Sequence, residues 1–181
     1  MTETKLISTL NKENLPYLDK TYVPSRLLLG PGPSNAHPEV LKALSLNPIG
    51  HLDEAYIELM SDVQKLLRYT WQCNNRITLP MSGTGSAAME ASIANFIEPG
   101  EKILIAKKGY FGDRLVDMAS RYNADVSVID KKWGEAFTFE EIKYEIETKK
   151  PAIFAIVHAE TSTGVLQPLE GIGDVCRDNN C

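Results

Sequence analysis

The distribution of apolar residues along the chain changes character near residue 76. From there onward, short apolar runs alternate with longer segments in which apolar residues recur at three and four residue intervals. This alternation is typical of a parallel sheet with crossover helices on its faces, so the predicted fold class is α/β, with a mostly parallel sheet. The predicted strands cover residues 76–80, 102–106, 125–129 and 152–157.

Helical spacing predicts helices before and between these strands. A long helix over residues 53–71 is indicated by a stripe of apolar side chains, namely Tyr56, Leu59, Met60, Val63, Leu66 and Leu67. Further helices are predicted over residues 37–46, 85–97, 113–122, 139–149 and 168–179. Thr138 and Glu141 have the spacing of a capping box, in which each side chain bonds the other residue's backbone N–H.

The first fifty residues differ from the rest in composition. They mix polar positions with prolines and contain the run Gly30-Pro31-Gly32-Pro33, which is typical of an ordered loop or a linker. We therefore predict an N-terminal segment over residues 1–50 and a larger α/β domain over residues 51–181.

Composition and charge narrow the function classes. With 43% hydrophobic and 24% charged residues among 181, the chain is predicted to form a globular domain. No apolar run is long enough for a membrane-spanning helix and no secretory signal pattern is visible, so no membrane is expected as a partner. The chain has a formal charge of −5 and so lacks the basic surplus expected of a protein that binds nucleic acid. Cys73, Cys176 and Cys181 are odd in number and the histidines are isolated, so we expect a cytoplasmic protein without a metal site.

A glycine-rich turn lies between the first predicted strand and the helix over residues 85–97. There, Gly83 and Gly85 let the backbone approach a ligand, while Thr84 and Ser86 add hydroxyls to the free N–H groups of the helix start. This arrangement suits a phosphate group. The alternative is a tight turn that binds no ligand.

The same turn also fits the dinucleotide fingerprint G-x-G-x-x-A over residues 83–88. A Rossmann domain that binds NAD(P) should then place a carboxylate about 20 residues further on. The chain has Ile105, Ala106, Lys107 and Lys108 in that region. Because a lysine could meet a 2′-phosphate, this alternative is weakened and stays open.

Two further loops follow predicted strands. Phe111 lies between Gly109 and Gly112, where its ring could lie against a planar ligand or simply fill the core. The loop over residues 158–164 supplies three hydroxyls after the fourth strand, and by itself it could be only a polar loop. Because ligands collect at the carboxyl ends of parallel strands, the three loops together indicate a flat, phosphorylated cofactor.

Four segments resemble the class V aminotransferases of pyridoxal-phosphate fold type I, in particular the alanine–glyoxylate and serine–glyoxylate branch. They are LLLGPGPS (27–34), SGTG (82–85), GYFGDR (109–114) and ETSTGVLQP (160–168). The resemblance implies pyridoxal 5′-phosphate as cofactor. It also implies transfer of an amino group from alanine or serine to glyoxylate, by a homodimer with its active site near the interface.

The resemblance implies roles for individual residues. Gly85 and Ser86 match the positions that hold the cofactor phosphate, and Phe111 matches the aromatic residue stacked on the pyridine ring. Thr161 matches the hydroxyl that bonds the cofactor's phenolic oxygen.

The resemblance also assigns positions on the substrate side. Pro31 and Gly32 match the loop that borders the substrate carboxylate. His51 matches a stretch near the partner's active site, where a surface or interface histidine is the simpler interpretation. The lysine pairs 107–108, 131–132 and 149–150 are interpreted as solvated ends of strands and helices.

No catalytic residue is predicted within this chain. The resemblance places the Schiff-base lysine, the aspartate on the pyridine nitrogen and the substrate-binding arginine after the position that matches Cys181. No lysine here matches the Schiff-base motif, so we expect the N-terminal portion of such an enzyme. Another class V reaction, such as phosphonate transamination or cysteine desulfuration, and a non-catalytic binding or assembly module are the alternatives.

Overall fold

The computed structural model describes residues 24–181 and divides the chain into two units between Pro48 and Ile49. Residues 1–23 of the predicted N-terminal segment lie outside the described residues. The sequence-based division into residues 1–50 and 51–181 stays a prediction, because it assigns separate roles to the two parts.

The first unit contains helix α1 (Pro38–Ala43), which begins with a proline in its first turn. It is shorter than the predicted range 37–46. After Ala43 the backbone continues with i to i+3 bonds, from Ser45 N–H to Lys42 O at 3.1 Å for example, which are typical of a tightened final turn.

The second unit is built around a three-stranded parallel sheet in the order β2-β1-β3. Its strands are β1 (Lys102–Lys107), β2 (Asp125–Asp130) and β3 (Ile153–Ile156). A short antiparallel pair follows, formed by β4 (Ala159–Glu160) and β5 (Val165–Leu166). The α/β prediction is confirmed.

The helices of this unit lie before, between and after the strands. They are α2 (Glu54–Trp71), α3 (Gly85–Phe96), α4 (Tyr110–Arg121), α5 (Phe139–Lys149) and α6 (Ile172–Asp178). The capping box of α5 is confirmed, because Thr138 N–H donates to Glu141 at 2.8 Å and Glu141 N–H donates to the Thr138 hydroxyl at 3.2 Å. None of the helices described in residues 24–181 is long and apolar enough to cross a membrane.

The core consists of two apolar layers on opposite faces of β1, because successive side chains of a strand point to opposite faces. Ile103 and Ile105 pack in one layer with residues of α3, α4 and the cap that follows α3. These residues are Ile93 of α3, its C-cap Ile97, and Leu115, Met118 and Ala119 of α4. Leu104 and Ala106 belong to a layer with Phe137, Ile142, Ile146, Ile172 and Val175. The central strand is thus buried on both faces. The segment that follows its carboxyl end leads into α4, which carries Phe111.

One predicted strand is wrong. Residues 76–80 form no strand, and Ile77 and Leu79 are exposed. A strand requires a neighbour for its backbone N–H and C=O groups, and none of the described strands pairs with this segment.

Candidate functional site

A cavity of about 630 Å³ lies where β1 and β3 reach their carboxyl ends. Its lining comes from the first two thirds of α3 and its cap Thr84, the first turns of α4, the end of β3 and the segment through β4. The lining residues are Thr84, Gly85, Ser86, Met89, Ser92, Phe111, Leu115, Ile156, Val157, Ala159 and Thr161. The structure therefore brings together all four residues that the sequence assigns to the cofactor.

The start of α3 forms the polar end of this cavity. Thr84 caps the helix, and its hydroxyl accepts the Ala87 N–H at 3.3 Å. Within the described part of the chain no acceptor satisfies the N–H groups of Gly85 and Ser86, as is usual in the first turn of a helix. A Cβ added at Gly85 would meet nothing within 4 Å, so the space beside these donors is open. Donors and the positive end of the helix dipole therefore converge on a place that suits an anion.

Phe111 forms a second wall from the first turn of α4. The Tyr110 ring packs edge-on against it, with ring centroids 5.3 Å apart and an interplanar angle of 83°. Gly112 allows this helix to lie close to the end of β1. A Cβ at Gly112 would lie 2.7 Å from the Lys107 Cβ and 2.8 Å from the Lys107 Cα.

Thr161 forms the third wall, in the turn between β4 and β5. The turn is closed by backbone bonds to the Glu160 carbonyl, from Thr163 N–H at 3.2 Å and from Gly164 N–H at 2.8 Å. Because Gly164 has a φ of +74°, the chain can reverse here and return as β5.

Two buried polar side chains beside the cavity were missed by the sequence analysis. Glu160 and Lys108 are each only 1% exposed. The Glu160 carboxylate accepts hydrogen bonds from α4, and the Lys108 ammonium group donates to the Val157 carbonyl at 2.7 Å. These contacts join residues 48 and 49 positions apart, so no local pattern indicates them.

The interpretation of the first lysine pair as a solvated strand end is wrong for Lys108. Lys107 is partly exposed and pairs with Asp113 and Asp130 at 3.0 Å each. Lys108 instead turns into the protein, where burial lowers the pKa of its ammonium group, while the charge of Glu160 acts in the opposite direction.

Replacing Lys108 by methionine should change how stability depends on pH. Because the folded-state pKa of Lys108 lies below the unfolded value of 10.5, folding of the wild-type chain opposes protonation of this group. This cost is fully present at low pH and disappears as the pH rises through the lowered pKa towards 10.5. Denaturant unfolding of the full-length protein should therefore show wild type gaining stability relative to K108M over that window. A difference that is constant with pH would contradict the assignment.

Other predicted residues are not placed at the cavity. Pro31 and Gly32 belong to the first unit, so their role beside the substrate stays a prediction. His51 is exposed and does not line the cavity. Among residues 24–181, no three side chains of His, Cys, Asp or Glu come together as a metal-ligand set.

Comparison with known proteins identifies the family. The family model described as "Aminotransferase class-V" matches residues 27–181. The chain belongs to the class V aminotransferases. Members of this family use pyridoxal phosphate, so membership implies that cofactor, and the α/β unit is the fold type I arrangement of its relatives.

Named relatives are similar to most of this chain. Alanine–glyoxylate aminotransferase of Mus musculus is 42% identical over 159 residues, which are 88% of this chain and 38% of that protein. (S)-Ureidoglycine–glyoxylate transaminase of Bacillus subtilis (strain 168) is 41% identical over 154 residues, covering 85% and 37% respectively. The crystal structure of alanine–glyoxylate aminotransferase from Nostoc sp. superposes with a TM-score of 0.88 at 58% identity, over 95% of this chain and 46% of that one. The chain thus spans less than half the length of these relatives.

The described residues fit pyridoxal phosphate. Free N–H groups lie at one end of the cavity, an aromatic ring and apolar side chains form its walls, and its volume lies in the range of about 300–1,000 Å³ common for small-molecule sites. The dinucleotide alternative is not favoured. Its fingerprint follows directly on a strand, whereas residues 73–84 contain no strand in the structure.

Proposed function

We propose that the full-length protein is a pyridoxal-phosphate-dependent aminotransferase that transfers an amino group from a small amino acid, alanine or serine, to glyoxylate. The observation that carries the proposal is the convergence of the α3 N-terminus, Phe111 and Thr161 on one cavity in a chain of this family. When bound, the cofactor would accept the amino group from the donor and deliver it to glyoxylate.

Each wall of the cavity has a separate task in this proposal. The N–H groups of Gly85 and Ser86, with the Ser86 hydroxyl, would hold the phosphate. The Phe111 ring would cover one face of the pyridine ring and exclude water from it. The Thr161 hydroxyl would donate to the phenolic oxygen and favour its anionic form.

The acceptor is better supported than the donor. The relatives above all have glyoxylate in their names, whereas the donor is alanine in two names and (S)-ureidoglycine in the third. We therefore propose glyoxylate as acceptor and treat the donor as the quantity to be measured.

The described residues seat the cofactor without supplying its reacting lysine. None of the residues that line the cavity is a lysine. Lys108, the buried lysine nearby, already donates to the Val157 carbonyl. We propose that the reacting lysine comes from a part of the protein beyond residues 24–181, as the resemblance implies.

Assembly and substrate contacts complete the proposal. We infer that the protein forms a homodimer and that Pro31 and Gly32 border the substrate carboxylate, and both inferences rest on the sequence resemblance. We also infer a cytoplasmic location, which rests on composition. Sedimentation of the full-length protein and cell fractionation test the assembly and the location.

An amino-transfer assay with the full-length protein tests the proposed function. Alanine and glyoxylate should yield pyruvate and glycine in equal amounts, and added pyridoxal phosphate should restore activity to the apoprotein. Serine and (S)-ureidoglycine, assayed in parallel, identify the preferred donor. If the protein binds pyridoxal phosphate but forms no glycine from glyoxylate with any of the three donors, the proposed acceptor is wrong.

Replacing Thr161 by valine should weaken cofactor binding by about tenfold, because one hydrogen bond to a charged oxygen is lost while the shape of the side chain is kept. The visible absorption of the bound cofactor should shift at the same time, since its phenolic oxygen loses a donor. The matched control is Thr163→Val, which removes a hydroxyl from the same turn at a residue that does not line the cavity. Equal effects of both variants would argue against a direct contact from Thr161.

A further inference from the structure

Glu160 is a buried carboxylate that collects several donors at one point. It is 1% exposed. One oxygen accepts from the Ser162 hydroxyl at 2.6 Å, the Ser162 N–H at 3.3 Å and the Phe111 N–H at 3.5 Å. The other oxygen accepts from the Gly112 N–H at 3.3 Å. These contacts satisfy both oxygens of a group that would be costly to bury alone.

The donors come from two different walls of the cavity. Phe111 and Gly112 belong to the first turn of α4, whereas Ser162 follows Thr161 in the turn between β4 and β5. A further bond joins the same two segments directly, from the Tyr110 N–H to the Ser162 hydroxyl at 3.0 Å. Glu160 therefore lies at the junction between the wall that carries the aromatic ring and the wall that carries the Thr161 hydroxyl.

The junction is tightly packed. A Cβ at Gly109 would lie 2.5 Å from the Glu160 Cγ, 2.6 Å from its Cδ and 2.8 Å from the Ser162 Oγ. The Gly109 backbone therefore lies so close to Glu160 that no side chain fits between them. Close packing on one side and hydrogen bonds on the other restrict the position of the carboxylate.

The chemistry of the junction suits an ionised carboxylate. All four bonded groups are donors, and an ionised carboxylate is a pure acceptor. Two of the donors are N–H groups in the first turn of a helix, where a negative charge is favourable. The Lys108 ammonium group is buried in the same region and holds the Val157 carbonyl at the end of β3.

We propose that Glu160 is a positioning residue, which fixes the distance across the cavity between the Phe111 ring and the Thr161 hydroxyl so that both can contact the same ligand. Glu160 does not line the cavity and acts through the two segments that it joins. This inference rests on the proposed function, since the separation matters only if both walls contact the same ligand.

The test compares two substitutions of Glu160 with an equally buried control in the full-length protein. Glu160→Gln keeps the shape but turns one acceptor oxygen into an NH₂ group that faces a donor. Glu160→Asp keeps the charge on a shorter side chain. The control is Gln167→Leu, because Gln167 is also 1% exposed and bonds the Phe137 backbone at 3.0 Å without lining the cavity.

Three measurements separate positioning from general stability: pyridoxal-phosphate affinity of the apoprotein, the absorption spectrum of the bound cofactor and the denaturant midpoint. We expect E160Q to weaken affinity about tenfold or more and to shift the spectrum. E160D should bind more tightly than E160Q, because it keeps the charge. Q167L should lower the midpoint but leave affinity within about twofold of wild type.

Several outcomes would overturn the inference. They are wild-type affinity in E160Q, affinity in E160D no better than in E160Q, and an equal loss of affinity in Q167L. If wild type itself fails to bind pyridoxal phosphate, the proposed function is wrong, and hydrogen exchange of the ligand-free proteins then decides about Glu160. E160Q should lose protection at residues 109–113 and 160–164 together, and unchanged protection in either segment would refute the junction.

Discussion

Replacing Ser86 by aspartate should lower the affinity for pyridoxal phosphate at least about 100-fold while the protein stays folded. The new carboxylate would lie in the first turn of α3, beside the N–H groups that face the cavity. Two like charges a few ångströms apart repel by about 1–4 kcal/mol near a protein surface, and the phosphate carries nearly two charges. An aspartate at this position is favourable for the helix itself, by about 0.3–1 kcal/mol, so loss of binding would not be caused by unfolding.

Fluorescence or absorption titration of the full-length apoprotein measures the effect of S86D. Ala88→Asp is the matched control, since it adds the same charge to the same helix at an exposed residue that does not line the cavity. A88D should bind the cofactor within a few-fold of wild type. If S86D binds as tightly as A88D, the phosphate does not lie at the start of α3.

Replacing Gly112 by alanine should destabilise the protein by roughly 1–3 kcal/mol, the range usual for overpacked sites. Alanine normally stabilises a helix relative to glycine by about 1 kcal/mol. Here the added Cβ would lie 2.8 Å from the Lys107 Cα, which is backbone and cannot rotate away. Helix α4 must therefore move away from β1, and the Phe111 ring moves with it, so cofactor affinity should fall as well.

Gly173→Ala is the matched control for G112A. Gly173 is also a helical glycine, but a Cβ there would meet only the Arg177 guanidinium, at 3.7 Å, which is an ordinary contact. Urea unfolding of the full-length protein should show G173A to be as stable as wild type or up to about 1 kcal/mol more stable. Destabilisation of similar size in both variants would show that the close approach of α4 to β1 is not the cause.

The elements that could be predicted from the sequence are those with local signals. Helix α5 begins and ends as predicted. Its start is marked by a local signal, because the capping box of Thr138 and Glu141 spans only four residues of sequence. Strands β1, β2 and β3 are short apolar runs bounded by polar residues, and each was found. The strand expected over residues 76–80 was wrong because pairing depends on a neighbour that the local pattern does not reveal.

The start of α4 shows a second kind of limit. The spacing of apolar residues predicts a helix from residue 113, whereas α4 begins at Tyr110. The Glu160 carboxylate and the Ser162 hydroxyl accept the N–H groups of its first turn, and both residues lie about 50 positions further along the chain. The helix is thus longer than its own sequence indicates, because a distant loop caps it.

In the candidate site, too, some residues could be predicted from the sequence and others could not. Gly85, Ser86, Phe111 and Thr161 were assigned through the resemblance to the family, and all four line the cavity. For Phe111 and Thr161 the position after a strand points to the same edge of the sheet, whereas the strand expected before Gly85 and Ser86 is absent from the structure. The supporting pair, Lys108 and Glu160, was not found. Charged residues are usually exposed, and only the folded chain shows that these two are buried between the loops.

The most direct test of the central claim is a crystal structure of the full-length protein with pyridoxal phosphate bound. We expect phosphate oxygens about 2.7–3.2 Å from the Gly85 and Ser86 nitrogens, the pyridine ring against Phe111 and the phenolic oxygen beside the Thr161 hydroxyl. A cofactor bound at another place in the protein, or one whose ring stacks on a residue other than Phe111, would contradict the account.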